Sequence, residues 1–303
     1  MTRRTIDGWK GKVCVVTGAG SGIGAGLARH AASLGMHVIG ADVDAAGLRQ
    51  LEEGICAQDQ GIQGQSIQGG SIQTRSMDVR DEQAVEALAS EVFARYGKVH
   101  LLFNNAGVLV DGKSWERPMR DWRWSFEVNV FGVIHGIRSF VPRMLRQGEP
   151  GRVVNTSSQG GLLGGGTFMG PYQSSKHAVT ALTETLYAEL ELESAPITAS
   201  CLCPGDVATA IWESDRLRPA SEQSRLASAS EQQFHDTVAD AVAQGLTPQA
   251  FASRVFEAIA ADKFWIVPGE GFKRAIELRT RCIAEERQPP STEEIMRELQ
   301  TLR

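Results

Sequence analysis

The tightest constraint on this chain is Thr17-Gly18-Ala19-Gly20-Ser21-Gly22-Ile23-Gly24, a glycine-rich turn that follows the apolar run Val13–Thr17 and opens a helical stretch near Gly22. Glycines let the backbone turn sharply and approach a ligand closely, and free N–H groups at the helix N-terminus hold the negative charge of a pyrophosphate. In a strand-turn-helix setting this is the sequence of a dinucleotide-binding turn. Further apolar runs at 37–41, 101–104, 152–157 and 198–203, with a last one at 264–267, read as strands. Their continuous apolar character fits a sheet covered on both faces. Between them, 81–96 carries Val85, Leu88, Val92 and Phe93 at helical spacing, and stretches beginning near Trp122 and Tyr172 read the same way.

Strand-helix alternation over about 200 residues predicts a single α/β domain built on a Rossmann-like, doubly wound parallel sheet with helices on both faces. This domain is expected over residues 1–268, followed by a helical C-terminal extension at 269–303. A charged helix at 271–286 leads through Pro289-Pro290 to a final helical stretch, read either as a solvated tail or as a segment packing on a neighbouring subunit. The Gly- and Gln-rich stretch 61–73 reads as an elaborated surface loop.

Composition narrows the function classes. A formal net charge of -5 with scattered Lys and Arg gives no basic field for nucleic acid. No stretch approaches the roughly 20 apolar residues of a membrane span, and the polar segment from Met1 to Lys10 lacks the apolar core of a secretion signal. A cytoplasmic protein without nucleic-acid or membrane partners is expected. The five cysteines have no C-x-x-C spacing and the six histidines no ligand pattern, so no metal site is predicted. Cys201 and Cys203 alternate along one apolar run and should share one face of a buried strand.

The second strand ends at Asp42, about 20 residues after the glycines, where a carboxylate accepts hydrogen bonds from the adenosine ribose hydroxyls and repels a 2′-phosphate. With Ser21 in the turn and Val43 after the aspartate in place of basic residues, NAD is expected over NADP. Asp44 reads as the cap of the following helix. Farther on, Tyr172 and Lys176 stand one helical turn apart, so phenol and ammonium share a face. Nearby positive charge favours the phenolate, which makes the pair a plausible proton-transfer device.

These residues together resemble the short-chain dehydrogenases/reductases, over roughly residues 10 to 268 and in that family's motif order. The T-G-x-x-x-G-x-G turn supplies Gly18, Ser21, Gly22, Ile23 and Gly24; Asp78-Val79 resembles the adenine-contacting pair; Asn104-Asn105-Ala106-Gly107 resembles the N-N-A-G element. Asn129 matches the helix asparagine, Ser157-Ser158-Gln159-Gly160-Gly161 the serine segment, and Pro204-Gly205-Asp206-Val207-Ala208-Thr209 the P-G-x-V-x-T element. The resemblance implies an oxidoreductase interconverting a secondary alcohol and a ketone with NAD. Tyr172 would be the general acid/base, Ser158 would hydrogen-bond the substrate oxygen, and Lys176 would lower the tyrosine pKa and hold the nicotinamide ribose. Asn129 would hold a water linking Lys176 to solvent, and Thr209 would reach the carboxamide. Asn105, Ala106, Gly107, Pro204, Gly205 and Val207 would complete the cofactor site, and Asn104 is given a functional part as well. Of the adjacent serines, S-x-x-G selects Ser158, leaving Ser157 structural.

Leu162, Leu163, Phe168, Met169 and Trp212 suggest an apolar pocket for a bulky or aromatic alcohol or its ketone. Short pieces, including Asp215 to Pro219, resemble members acting on aryl-propane alcohols, with steroid, cyclic-alcohol and acyl-carrier ketone chemistry equally open. A silent NAD-binding sensor or scaffold, and an epimerase or dehydratase, remain alternatives on the same scaffold. The resemblance also implies a homodimer or homotetramer formed through the helices starting near Trp122 and Tyr172.

Overall fold

The computed structural model describes residues 6, 8–59, 70–224, 226, 228–267 and 269–300. Among these residues, seven strands form one parallel sheet: β1 (Val13–Thr17), β2 (His37–Asp42), β3 (Ser71–Ser76), β4 (Leu101–Asn104), β5 (Gly151–Thr156), β6 (Ile197–Leu202) and β7 (Trp265–Ile266), in the order β3-β2-β1-β4-β5-β6-β7. The chain reverses direction across the sheet between β1 and β4, so the turns after those two strands open a crevice at the carboxyl edge.

Successive side chains of a strand point to opposite faces, and both faces here are buried. Val13 and Val15 pack with Leu102, Val153 and Ile197 under α3 (Glu82–Tyr96), α5 (Gly132–Arg146) and α6 (Gly170–Leu192). Cys14 and Val16 pack with Leu101, Phe103 and Leu202 under α1 (Gly22–Ser33), α2 (Ala45–Asp59) and α8 (Pro248–Ala260). This two-faced burial is why the central strands read as unbroken apolar runs. Local signals set the helix ends: Asp81 accepts from the Gln83 and Ala84 N–H groups at the start of α3, and Gly97 ends that helix in the left-handed conformation. Asp44 Oδ1 caps α2 at Ala46 and Gly47, as expected.

Three elements differ from the sequence expectation. Residues 71–76 form β3, although 61–73 reads as a loop; 61–69 lie outside the described residues. β3 is the edge strand, pairing in parallel with β2 from His37↔Ser71 to Asp42↔Ser76, and one polar side is what an edge strand carries. The helix expected near Trp122 starts earlier, as α4 (Met119–Phe126), and passes through a π-helical turn (Glu127–Phe131) into α5. Finally, α9 (Glu270–Ala284) and α10 (Thr292–Gln300) are more than a solvated tail: Ile295, Met296 and Leu299 of α10 line the chain's own cavity. The segment after β6 contains a helix, α7 (Ala229–Ala243).

Candidate active site

A cavity of about 380 Å³ runs along the carboxyl edge of the sheet, and all of the predicted cofactor residues line it, from Gly18 to Thr209. The glycines of the first turn are required by close approach. A Cβ on Gly18 would lie 2.7 Å from the Ala106 Cα, and one on Gly24 only 1.9 Å from the Gly18 carbonyl oxygen. The β1 and β4 turns are fastened together by Thr17, whose hydroxyl oxygen accepts from the Asn105 and Ala106 N–H groups at 3.0 and 3.1 Å. The Asn105 amide donates to the Thr17 carbonyl at 3.0 Å. At the start of α1, Ser21 is extended and its side chain makes no capping bond, so the first-turn N–H groups keep their capacity for an anion.

Asp42 closes this end of the site. Its carboxylate accepts from the Gly20 N–H at 2.8 Å and from the Asp44 N–H at 2.8 Å, one oxygen each. An ionised carboxylate offers about four acceptor positions, so both oxygens keep capacity for ligand hydroxyls. A backbone shaped to the diphosphate and an oriented carboxylate fit an adenine dinucleotide.

At the other end, Ser158, Tyr172 and Lys176 meet on one wall of the cavity. Ser157 and Ser158 follow β5 in extended backbone and point opposite ways. The Ser157 hydroxyl donates to the Lys176 carbonyl at 2.8 Å on the buried side, whereas Ser158 faces the cavity beside the Tyr172 phenol. Lys176 is 3% exposed, and its ammonium donates to the Thr156 carbonyl at 2.9 Å. Burial pushes Lys176 down from 10.5 to about 8, with Cys201 and Cys203 opposing. Burial also pushes the Tyr172 phenol above 10, the Ser158 hydrogen bond pulling the other way. The net shift of the phenol in the protein alone is therefore upward. The Lys176 ammonium is 5.8 Å from the phenol ring centroid and directed at Thr156.

Asn129 does not line the cavity. It sits, fully buried, in the π-helical turn behind Lys176. Its Oδ1 accepts from the Val108 N–H at 2.8 Å, and its amide donates to the Val108 carbonyl at 3.0 Å and the Ser175 hydroxyl at 2.9 Å. Both amide hydrogens are thus in use and one oxygen lone pair is left. Gly107 separates that oxygen from Lys176: an ideal Cβ there would be 3.3 Å from Asn129 Oδ1 and 3.2 Å from Lys176 Nζ. Asn104 does not line the cavity; its amide donates to Asn155 Oδ1 at 2.9 Å. Cys201 and Cys203 do share a face, with sulfurs 3.6 Å apart.

Of the apolar pocket residues expected, Leu163, Met169 and Trp212 line the cavity; Leu162 and Phe168 do not. Phe168, held at φ +61°, instead packs edge-on against Phe234 of α7 at 5.5 Å. Sequence reasoning missed Gln159 and Gln173, which occupy unassigned positions within the serine segment and the Tyr172–Lys176 motif, and Phe234 and the α10 residues, which lie outside the motifs and reach the cavity only through tertiary packing. The segment 206–247 is tied down by Arg218, which stacks 3.8 Å over the Trp124 ring and donates to the fully buried Asp121 at 2.6 Å. No group of three or more His, Cys, Asp or Glu side chains is placed to hold a metal ion, and no helix is long and apolar enough to cross a membrane, among the described residues.

The family profile for short chain dehydrogenase matches residues 12–219. The chain belongs to the short-chain dehydrogenase family. A crystal structure of a short chain dehydrogenase/reductase from Burkholderia phymatum in complex with NAD is similar over 94% of this chain and 99% of that one, with 39% identity and a TM-score of 0.87. A CLA biosynthesis dehydrogenase/reductase from Lactiplantibacillus plantarum is 28% identical over 288 residues, 93% of this chain and 96% of its own length. A C alpha-dehydrogenase from Sphingobium is 29% identical over 282 residues, 90% and 85% of the two chains. This short-chain dehydrogenase is an oxidoreductase of the alcohol/ketone type that binds NAD or NADP and acts on small molecules.

Proposed function

We propose that this short-chain dehydrogenase interconverts a secondary alcohol and a ketone with NAD, using Tyr172 as general acid/base. The observation that carries the reading is the meeting of Ser158, Tyr172 and Lys176 on a cavity wall that continues into the glycine turn. NAD, when bound, supplies the carbon that exchanges a hydride with the substrate carbon. Everything else falls to the side chains. Ser158 donates to the substrate oxygen and stabilises the charge that develops there. Tyr172 gives its phenolic proton to that oxygen in ketone reduction and receives it in alcohol oxidation; a phenol is ordinarily protonated at neutral pH, and burial shifts this one further in the same direction. Lys176, at about 8, is mostly charged at pH 7 and supports the phenolate that forms when the proton leaves. The lone pair left on Asn129 Oδ1 suits a water bridging to Lys176 past Gly107.

Asp42 supports NAD over NADP, because its ionised carboxylate is held where a 2′-phosphate would be repelled. The NAD complex of the Burkholderia relative agrees with that preference. Residues 206–247 act as the substrate lid, and the homodimer or homotetramer forms through α4, α5 and α6, where Phe131 is 50% and Tyr187 37% exposed. Tyr172→Phe is the decisive variant: NADH formation over a panel of alcohols should fall at least 1,000-fold, on the order of the lost acid/base contribution, while NAD binding by calorimetry persists. Near-normal turnover in that variant would overturn the mechanism.

A further inference from the structure

The cavity extends past the reacting groups into a chamber that the chain's own C-terminus completes. Three segments distant in sequence form it: Trp212 beyond Thr209, Phe234 and Val238 on α7, and Ile295, Met296 and Leu299 on α10. Trp212 and Phe234 meet edge to face at 6.4 Å. The hairpin of α9 and α10 is seated on the loop between Ser158 and Tyr172, with Thr167 and Thr292 hydroxyls 3.4 Å apart and Arg279 Nε 3.3 Å from an ideal Cβ on Gly164. The chamber therefore lies at the substrate end, away from Asp42. On α10 the three apolar residues, at i, i+1 and i+4, turn one face to the cavity, while Glu293, Glu294 and Arg297 take the other side.

Polar groups also line the cavity, among them Gln159, Gln173 and Thr292, and two of its lining residues carry a buried side-chain atom without a partner: Gln159 at Oε1, an acceptor, and Trp212 at Nε1, a donor. Trp212 Nε1 is buried and has no hydrogen-bond partner in the protein. An indole N–H only donates, and leaving a donor buried without a partner is costly enough that such groups are rare. The indole meets the His235 ring edge to face at 5.2 Å, a contact that leaves its N–H without an oxygen or nitrogen acceptor, which a ligand seated in the chamber can bring.

Resting on the alcohol/ketone reading above, we infer that α10 and Trp212 form a distal substrate subsite for a bulky apolar group bearing a hydrogen-bond-acceptor oxygen. The substrate class is then a secondary alcohol or ketone whose reacting carbon carries an aryl or comparably large apolar arm with a carbonyl-type oxygen on it. Small polyols leave the apolar roof unmatched.

Ketone binding tests this without turnover, because a ketone with oxidised NAD forms an abortive complex. Calorimetry on the full-length protein with saturating NAD would compare 1,4-diacetylbenzene with its near-isostere 4′-ethylacetophenone. The diacetyl compound should bind about tenfold more tightly, the difference expected of one matched hydrogen bond. Trp212→Phe should abolish that preference. Ile295→Ala combined with Leu299→Ala should weaken both ketones about tenfold, and Ile295→Trp, which fills the chamber, should exclude both while sparing acetone. Equal affinities for the pair, a preference that survives Trp212→Phe, or α10 variants that leave both affinities unchanged would each overturn the subsite, as would failure of both ketones to bind. Since these are affinities, they stand apart from the Tyr172→Phe turnover test: loss of the acid/base mechanism leaves them readable.

Discussion

Lys176 offers a quantitative check on the electrostatics of the site through stability. Its ammonium is buried, with a pKa of about 8 against 10.5 in the unfolded chain. Below pH 8 both states are protonated, and the folded protein carries the full cost of the buried charge. Between pH 8 and 10.5 the unfolded chain binds more protons than the folded one, so stability rises with pH. Each unit of separation corresponds to about 1.4 kcal/mol, and allowing for partial titration at both ends the gain from pH 8 to pH 10 is about 2 kcal/mol. Above pH 10 Tyr172 acts in the opposite sense, because its raised pKa keeps a proton on the folded state that the unfolded state has released. The useful window therefore closes at 10. Urea denaturation of the cofactor-free protein, wild type and Lys176→Met, at half-unit steps from pH 7 to 10 isolates the effect. Other titrating groups cancel in the difference, and the Thr156 carbonyl that loses its donor adds only a constant offset. Relative to Lys176→Met, the wild type should gain about 2 kcal/mol from pH 8 to 10, or roughly 0.7–1 M in urea midpoint for a slope of about 2–3 kcal/mol/M. Parallel stability curves for the two proteins would refute the burial argument.

Two further substitutions probe the ends of the site. Gly107→Ala places a methyl group 3.2 Å from Lys176 Nζ and 3.3 Å from Asn129 Oδ1, so turnover at pH 7 should fall about tenfold or more with the melting temperature nearly unchanged; an unimpaired rate would mean that this gap carries no proton path. Asp42→Asn keeps the side chain's size and removes the charge that repels a 2′-phosphate. The ratio of kcat/KM with NAD to that with NADP should drop at least tenfold, about 1.4 kcal/mol, and an unchanged ratio would remove Asp42 as the source of the preference.

What the sequence made legible, and what it did not, follows from where each constraint lies. The glycine turn, Asp42, Ser158 and Lys176 were readable because each answers to a local requirement: a Cβ clash at Gly24, a strand end at Asp42, opposite faces for Ser157 and Ser158, one helical turn between Tyr172 and Lys176. The central strands were readable because burial on both faces leaves no polar positions. β3 was hidden for the converse reason, since an edge strand is half-solvated and Ser71, Gln73, Thr74 and Arg75 carry no apolar period. The direction of the Tyr172 shift was hidden too. Spacing places an ammonium near a phenol, but only the packed structure shows that the ammonium is itself desolvated and turned to Thr156.

The far end of the cavity lies beyond local reading altogether. Its walls are separated by more than 80 residues, from Trp212 to Leu299, and no short-range pattern links them. The division has a physical basis in this chain. The reacting groups are fixed by the ends of β1, β4 and β5 and by the first turns of α1 and α6, elements held between two buried faces. In the proposed subsite, substrate shape is read by the turn after Thr209, α7 and α10, which are held to the rest of the chain through Arg218 with Asp121, Thr292 with Thr167, and Phe234 with Phe168. Changes in those outer segments can re-form the chamber without disturbing the distance between Tyr172 and Lys176. Specificity should therefore respond to substitutions in α10 that leave the chemistry of the acid/base pair intact.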